Sequence, residues 1–252
     1  MRVATFNILH GRTVGDGVHP DRLRACVEQL DPDVLALQEV DLHQHRSHRA
    51  DLTAVAAEAM GAVAHRFVAA IAGTPGATWM AATGAEQPGT AAYGIALLTR
   101  YPVSDWRVVR LPRMPVRVPM FLRQPNRVAL VEEEPRTAVI ARLDTPLGPL
   151  SVATAHLSFI PGANRWQLRK LVRTMRELPG PRLLAGDLNM VPSTARRWSG
   201  MRPLARAETF PAEAPRRQLD HILTDAAGLR SMRCAAPAAP LSDHRPLVVD
   251  IA

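Results

Sequence analysis

The feature that most constrains this chain is a pattern it contains twice. Near the start, Arg2-Val3-Ala4-Thr5-Phe6-Asn7 is a short apolar strand that ends on a polar residue, and Ser151-Val152-Ala153-Thr154-Ala155-His156 repeats it. A helical spacing follows each strand: Leu23, Cys26, Val27 and Leu30 in the first case, Leu168, Leu171, Val172 and Met175 in the second, where Asn164 is the predicted N-cap. Each helix gives way to a buried-looking strand opened by proline, over residues 32–39 and 181–189. The polar ends are evenly spaced, with 32 positions from Asn7 to Glu39 and 31 from His156 to Asp187. Three successive elements in the same order predict two similar sheets packed face to face with helices outside, a layered α/β sandwich. The 252 residues fit one such domain, residues 1–252, with halves at roughly 1–145 and 146–252.

Further strands are predicted over 93–99, 137–143, 219–224 and 246–251. Two stretches between them look irregular. Residues 72–92 are rich in glycine, threonine and alanine and predict a surface loop. Residues 107–127 mix prolines with Arg107, Arg110, Arg113, Arg117, Arg123 and Arg127. They are either a solvated, proline-stiffened connection or a basic lip over a substrate cleft.

Composition limits the function classes. Nearly half the residues are apolar (47%), enough for a sizeable core. No apolar run reaches the ~20 residues that cross a bilayer, and the N-terminus carries no signal-peptide pattern, so a soluble, cytoplasmic protein is expected. Cys26 falls on the apolar face of the first helix and reads as a buried thiol. Neither it nor Cys234 has a zinc-binding spacing. The net charge of +8 permits an anionic partner, nucleic acid included. Lys170 is the sole lysine, however, so a general preference for arginine explains part of that charge.

Ligands of α/β sheets bind beyond strand ends, and five polar clusters sit at such ends. They are Asn7, Glu39, His156, Asp187 with Asn189, and Asp220-His221 together with Ser242-Asp243-His244. Carboxylates and an amide oxygen are hard ligands suited to Mg²⁺ or Mn²⁺ and poorly suited to zinc. A hard divalent ion beside imidazoles suits attack of water on a phosphate ester, where charge builds on the phosphoryl oxygens. Taken singly, each residue has a plainer explanation as a turn residue, a solvated strand end or a core histidine. Those explanations do not account for all five clusters falling at strand ends. His43, His45 and His48 form a denser group after Glu39, irregularly spaced and in a predicted loop, for which metal binding is a secondary reading.

These residues resemble the endonuclease/exonuclease/phosphatase superfamily, which includes DNase I, abasic-site endonucleases, bacterial sphingomyelinases and inositol-polyphosphate phosphatases. The matching pieces are Thr5-Phe6-Asn7-Ile8, Leu37-Gln38-Glu39-Val40, Gly94-Ile95-Ala96-Leu97-Leu98-Thr99-Arg100, Thr154-Ala155-His156-Leu157, Gly186-Asp187-Leu188-Asn189, Leu219-Asp220-His221-Ile222 and Ser242-Asp243-His244-Arg245-Pro246. They run in the family's order along nearly the whole chain. Asn164-Arg165-Trp166-Gln167 is similar to the helix start of small bacterial members.

The resemblance implies a four-layer α/β sandwich of two packed mixed β-sheets flanked by helices, and a Mg²⁺- or Mn²⁺-dependent hydrolase of phosphate esters, diesters first. It implies a metal site at Glu39 with Asn7, and Asp243 as a further candidate. It also implies Asp187 as the residue that activates water, Asn189 as holding phosphate and nucleophile in register, and His244, oriented by Asp220, as a phosphate contact. His156 resembles the second imidazole of the DNase-like and sphingomyelinase-like branches. Two departures stand out. No acid occurs between Glu86 and Asp105, where DNase I-like enzymes carry the partner of that imidazole. Aromatic residues make up only 4% of the chain, few for stacking bases. A nuclease is therefore only slightly favoured over a phospholipid, sphingomyelin or inositol-phosphate hydrolase. A membrane-surface enzyme using residues 107–127 with Trp79, Trp106 or Phe121 is a further alternative, and a binding protein that kept the fold without catalysis is the rival of another class.

Overall fold

A computed structural model describes residues 1–114, 118–122 and 127–252, the strands 118–122 and 127–131 by their backbone. The chain runs through β1 (Arg2–Asn7), the short ribbon β2 (Arg12–Thr13) and β3 (Gly17–Val18), α1 (Pro20–Leu30), β4 (Val34–Leu42), α2 (Leu52–Met60), β5 (Ala64–Gly73), β6 (Trp79–Ala81) and β7 (Ala92–Thr99). It continues with β8 (Val103–Leu111), β9 (Val118–Leu122), β10 (Arg127–Val131), β11 (Arg136–Thr145), β12 (Gly148–His156), α3 (Ala163–Arg176), β13 (Arg182–Asp187), α4 (Pro192–Ser199), β14 (Arg202–Pro203), β15 (Asp220–Thr224), β16 (Ser231–Ala235) and β17 (Leu247–Ile251).

Two mixed sheets dominate, ordered β16-β17-β1-β4-β7-β5-β6 and β14-β15-β13-β12-β11-β8. At the centre of each, two parallel strands, β1 with β4 and β12 with β13, are flanked by antiparallel neighbours. The expected internal repeat is therefore present, but the sheets do not divide the chain at residue 145. β8 and β11 belong to the second sheet and the final hairpin β16–β17 returns to the first, so the two chain halves interlock.

Strand alternation decides which side chains meet. Val3, Val34, Ala36, Ile95 and Leu97 face Val139, Ala141, Val152, Leu183, Ala185 and Ile222 in the core between the sheets. The alternate residues Ala4, Phe6, Leu35 and Leu37 pack under α1 and α2. Ile140, Ala153, Ala155 and Leu184 likewise pack under α3 and α4. The order is helices, sheet, sheet, helices. Both predicted apolar stripes are buried as expected, Leu23, Cys26, Val27 and Leu30 on α1 and Leu168, Leu171, Val172 and Met175 on α3, each large side chain contributing roughly 1.5–3 kcal/mol by leaving water. Burial also pushes the Cys26 thiol up to about 12, so it stays protonated and packs as an apolar group.

The parity that puts Val3 between the sheets puts Thr5 and Asn7 there too, and the same count places Thr154 and His156, and Asp187. Beneath the cleft Thr5 Oγ1 donates to Gln38 Oε1 (3.2 Å), and Gln38 Nε2 donates across to Thr154 Oγ1 of the other sheet (3.1 Å). This buried polar bridge, none of whose side-chain nitrogens and oxygens lacks a partner, fixes the two sheets' strand ends relative to one another.

Several expectations need correction. Residues 103–111 form an edge strand, not an irregular segment: Trp106 and Val108 pack toward the inter-sheet core while Val109 and Leu111 pack under α3. The arginines between them hid this alternation. Arg107 pairs with Glu177 (2.8 Å), and Arg110 donates to the Ala69 carbonyl (2.7 Å). Of the proposed lip, residues 115–117 and 123–126 lie outside the described residues, as do the side chains of 118–122, Phe121 included, and of 127–131. Trp106 is part of the packed sheet, which removes it from a membrane-facing role. Within 72–92, β5 extends to Gly73 and pairs with β6, β7 begins at Ala92, and the rest is loop. Asn164 does not cap α3: the helix starts at Ala163 after Gly162, and Asn164 Nδ2 instead donates to the Asn189 carbonyl (3.0 Å). Among the described residues no helix is long and apolar enough to cross a membrane.

Candidate active site

The strand ends surround a cleft of about 470 Å³. Six of the eight residues to which the resemblance gives roles line it: Asn7, Glu39, His156, Asp187, Asn189 and His244. Asp220 lies directly behind His244. Asp243 does not join them, since its half-buried side chain lines a neighbouring depression with Ala212 and Pro240. Its charge is nevertheless near enough to raise the Glu39 pKa.

Asp187 is the focus. It closes β13 on the inner face and is almost fully buried. Just before it, Gly186 lets β12 approach closely, because a Cβ there would sit 2.1 Å from the Ala155 carbonyl oxygen. Oδ1 accepts from the Asn189 backbone amide (2.9 Å) and Oδ2 from Asn7 Nδ2 (3.1 Å). The same Oδ2 lies 3.5 Å from His156 Nε2 and 3.9 Å from His244 Nε2. Burial, and the Asp220 carboxylate opposite it in the antiparallel register with β15, raise the Asp187 pKa to about 7.

The two imidazoles are in different states. His244 Nδ1 donates to Asp220 Oδ2 (2.9 Å). Burial alone would lower its pKa, but Asp220, Asp187 and Asp243 overcome this and raise it to about 9, so His244 is a cation at neutral pH. Its loop is tied to the end of β1 by Ser242 Oγ, which donates to the Asn7 carbonyl (2.6 Å). His156 Nδ1 instead accepts from Arg136 Nη1 (3.0 Å). A guanidinium has no lone pair to offer, so the proton of this neutral ring is on Nε2, aimed at Asp187. Burial first, then the charges of Arg136 and His244, hold its pKa well below the usual histidine value.

Glu39 reaches the cleft by a break in its strand. Simple alternation groups it with Leu35 and Leu37 under the helices. A β-bulge between Gln38 and Val40, with Glu39 at φ +57°, turns the side chain into the cleft instead. Its Oε1 accepts from Asn7 Nδ2 (3.0 Å). Burial raises its pKa, and among the described residues no basic group lies within 4.0 Å. A half-buried carboxylate without an ion pair favours a bound cation. With Asn7 beside it the donors are oxygen-rich and hard, the set that holds Mg²⁺ or Mn²⁺. Here the Asn7 oxygen accepts from the Leu9 amide (3.1 Å), and it is Nδ2 that faces the two carboxylates. Asp187, Asp220 and His244 also bring ligating atoms within 4.8 Å of one another. In that second group an ion would compete with the hydrogen bond from His244 Nδ1 to Asp220 Oδ2. His43, His45 and His48 form no such group among the described residues. Their loop contributes Arg46, held by buried Asp41 through two bonds (2.7 and 2.9 Å).

Sequence reasoning missed Arg136, Tyr93 and His10, all of which line the cleft. Arg136 and Tyr93 lie at the beginnings of β11 and β7, which run antiparallel to β12 and β4 and so reach the same rim as the polar strand ends, while His10 lies in the turn just after β1. Asp220, at the beginning of β15, follows the same rule. On the Nδ1 side of His156 the partner is a cation, Arg136, and among the described residues no carboxylate lies within 4.0 Å of that nitrogen.

Residues 4–244 match the Endonuclease/Exonuclease/phosphatase family. The chain belongs to this family. Members of the family are phosphoester hydrolases, and solved structures of the family share the fold. An endonuclease/exonuclease/phosphatase from Beutenbergia cavernae is 22% identical at a TM-score of 0.71, covering all of this chain and 71% of its own. The human Nocturnin catalytic domain, solved with sulfate, is 18% identical (TM-score 0.66; coverage 100% and 94%). A mannosyl-6-phosphatase from Bacteroides thetaiotaomicron is 14% identical (TM-score 0.65; coverage 100% and 99%). No curated protein matches the chain in sequence.

Proposed function

We propose that this protein is a divalent-cation-dependent phosphoester hydrolase, a phosphodiesterase with nuclease-like activity first, in which Asp187 activates the attacking water. The observation that carries the reading is the surround of Asp187 Oδ2: a neutral imidazole, an imidazolium and an amide nitrogen, at 3.5, 3.9 and 3.1 Å. A carboxylate with a pKa near neutrality is matched to taking a proton from water. Asn189 spends its amide nitrogen on the Leu157 carbonyl (3.1 Å), which leaves its oxygen to orient that water. His156 Nε2–H and His244 Nε2–H donate to phosphoryl oxygens as charge builds on them. Glu39 and Asn7 would hold Mg²⁺ or Mn²⁺, the amide turning its oxygen inward, and Asp243 would act on the ion through its charge. The ion would supply further neutralisation of phosphoryl charge. Each of these positions carries a chemically competent residue, which argues against a purely binding role.

Two measurements test the reading. The first is a panel of DNA, RNA, sphingomyelin, inositol phosphates and bis-p-nitrophenyl phosphate with and without EDTA. Hydrolysis of a phosphodiester that EDTA abolishes and Mg²⁺ or Mn²⁺ restores is expected, and a panel untouched in the presence of metal defeats the proposal. The second is the pH profile. His244 must keep its proton, so kcat/KM is expected to fall as pH rises through about 9. In Asp220→Asn the imidazolium loses its carboxylate and the downward push of burial remains. The alkaline limb should then move down by at least about one unit; an unmoved limb excludes the Asp220–His244 pair from the chemistry.

A further inference from the structure

The net charge of +8 is not spread over the molecule. α3 and α4 together carry Arg165, Arg169, Lys170, Arg173, Arg176, Arg196 and Arg197 and no acid, a charge of +7, which leaves +1 for all other residues. A general preference for arginine over lysine cannot produce this, because it substitutes one cation for another without gathering them. Arg169, Arg173, Arg176, Arg196 and Arg197 are exposed. Among the described residues none of these five, nor Lys170, has a carboxylate within 4.0 Å, although pairs such as Arg107–Glu177 form at the edge of the same face.

The face is concave. Between the helices a groove of about 420 Å³ is lined by Arg169, Arg173, Arg176, Arg197 and Trp198. Beyond α4 a second of about 430 Å³ is lined by Arg196, Arg197 and Arg202. The Arg169 guanidinium lies 4.3 Å from the centre of the Trp198 ring and that of Arg165 5.7 Å. Stacking of this kind holds the flat guanidinium and presents its edge for paired hydrogen bonds to phosphate. Trp166 of α3 stays 54% exposed and offers a ring face on which a base can stack. α3 is about 21 Å long at 1.5 Å per residue, and its first turn touches the active site through Asn164 and the Asn189 carbonyl.

We infer that the α3–α4 face is a second binding surface for a nucleic-acid strand, gripping the phosphate backbone and leading it along α3 to the cleft. This rests on the phosphoester-hydrolase reading only for what the strand meets at the cleft; binding to the face is independent of turnover.

The test is fluorescence anisotropy of a labelled single-stranded oligonucleotide longer than α3, in EDTA so that nothing is cleaved, across a salt series. The variant is Arg169→Glu/Arg173→Glu/Arg197→Glu, with the corresponding triple glutamine variant as a milder second form should charge reversal impair folding. The dissociation constant is expected to rise at least about 10-fold, and the slope of its logarithm against log salt to drop by about 2, for three lost phosphate contacts on a single strand. Turnover of bis-p-nitrophenyl phosphate should not change, since none of the three residues lines the cleft. Unaltered affinity and slope in the variants, or no oligonucleotide binding by the native protein, overturns the inference even if the hydrolase is active. So does a variant that keeps the oligonucleotide and loses only vesicles of phosphatidylserine and phosphatidylcholine. Absent turnover with intact, variant-sensitive binding counts instead against the hydrolase reading alone.

Discussion

Replacing Asp187 by asparagine is expected to lower kcat on a phosphodiester by about 10³-fold, the range for loss of a positioned general base, while the protein still unfolds cooperatively. The carboxylate is the acceptor toward which Asn7, His156, His244 and the Asn189 amide all converge. An amide there cannot take a proton and turns a donor toward Asn7 Nδ2. Loss of that bond is offset by removal of a buried charge. The folded-state pKa of about 7 lies above the ordinary aspartate value, so ionised Asp187 costs stability as pH rises from about 4 to 7, and asparagine escapes that cost. Steady-state kinetics on bis-p-nitrophenyl phosphate beside a thermal melt read both quantities. A variant within about 10-fold of the native rate would remove Asp187 from the role of base.

The second large effect is expected at Glu39. Glu39→Gln keeps an acceptor for Asn7 Nδ2 and the same shape on the bulge, yet removes the unpaired, half-buried charge. Activity at a fixed low Mg²⁺ concentration should fall by about 100-fold or more, since even residues behind a metal ligand are commonly worth 10–100-fold. Part of the loss should return as Mg²⁺ or Mn²⁺ is raised, because the defect lies in ion affinity and the rest of the site is intact. Isothermal titration of the native and variant proteins with Mn²⁺ separates the cases. Equal ion binding with equal turnover would take the cation away from Glu39.

Much of this site is legible in the strands. Parity alone puts Asn7, His156 and Asp187 on the inner faces, because each stands an even number of residues from an inter-sheet core residue: Val3, Val152 and Leu183. Glu39 is the exception. Counting from Val34 sends it to the helix side, and only the bulge at φ +57° delivers it to the cleft. The sequence motif marked the residue without giving the reason for its direction. Arg136 was hidden for another reason. Nothing near it along the chain links it to His156, twenty positions away; the antiparallel pairing of β11 with β12 does that.

By itself the sequence determined the repeat, the faces of α1 and α3, the four layers and most of the polar ring, since all of these follow from local periodicity and from which residues are too polar to bury without partners. Tertiary structure decided what periodicity cannot carry. It crossed the chain halves between sheets, turned Glu39 inward, made one histidine a cation and the other a neutral donor, and laid the two basic helices α3 and α4 side by side. Each of these depends on which groups from distant segments become neighbours in a low-dielectric interior or on a shared surface, and electrostatic energies are set by those distances rather than by order along the chain.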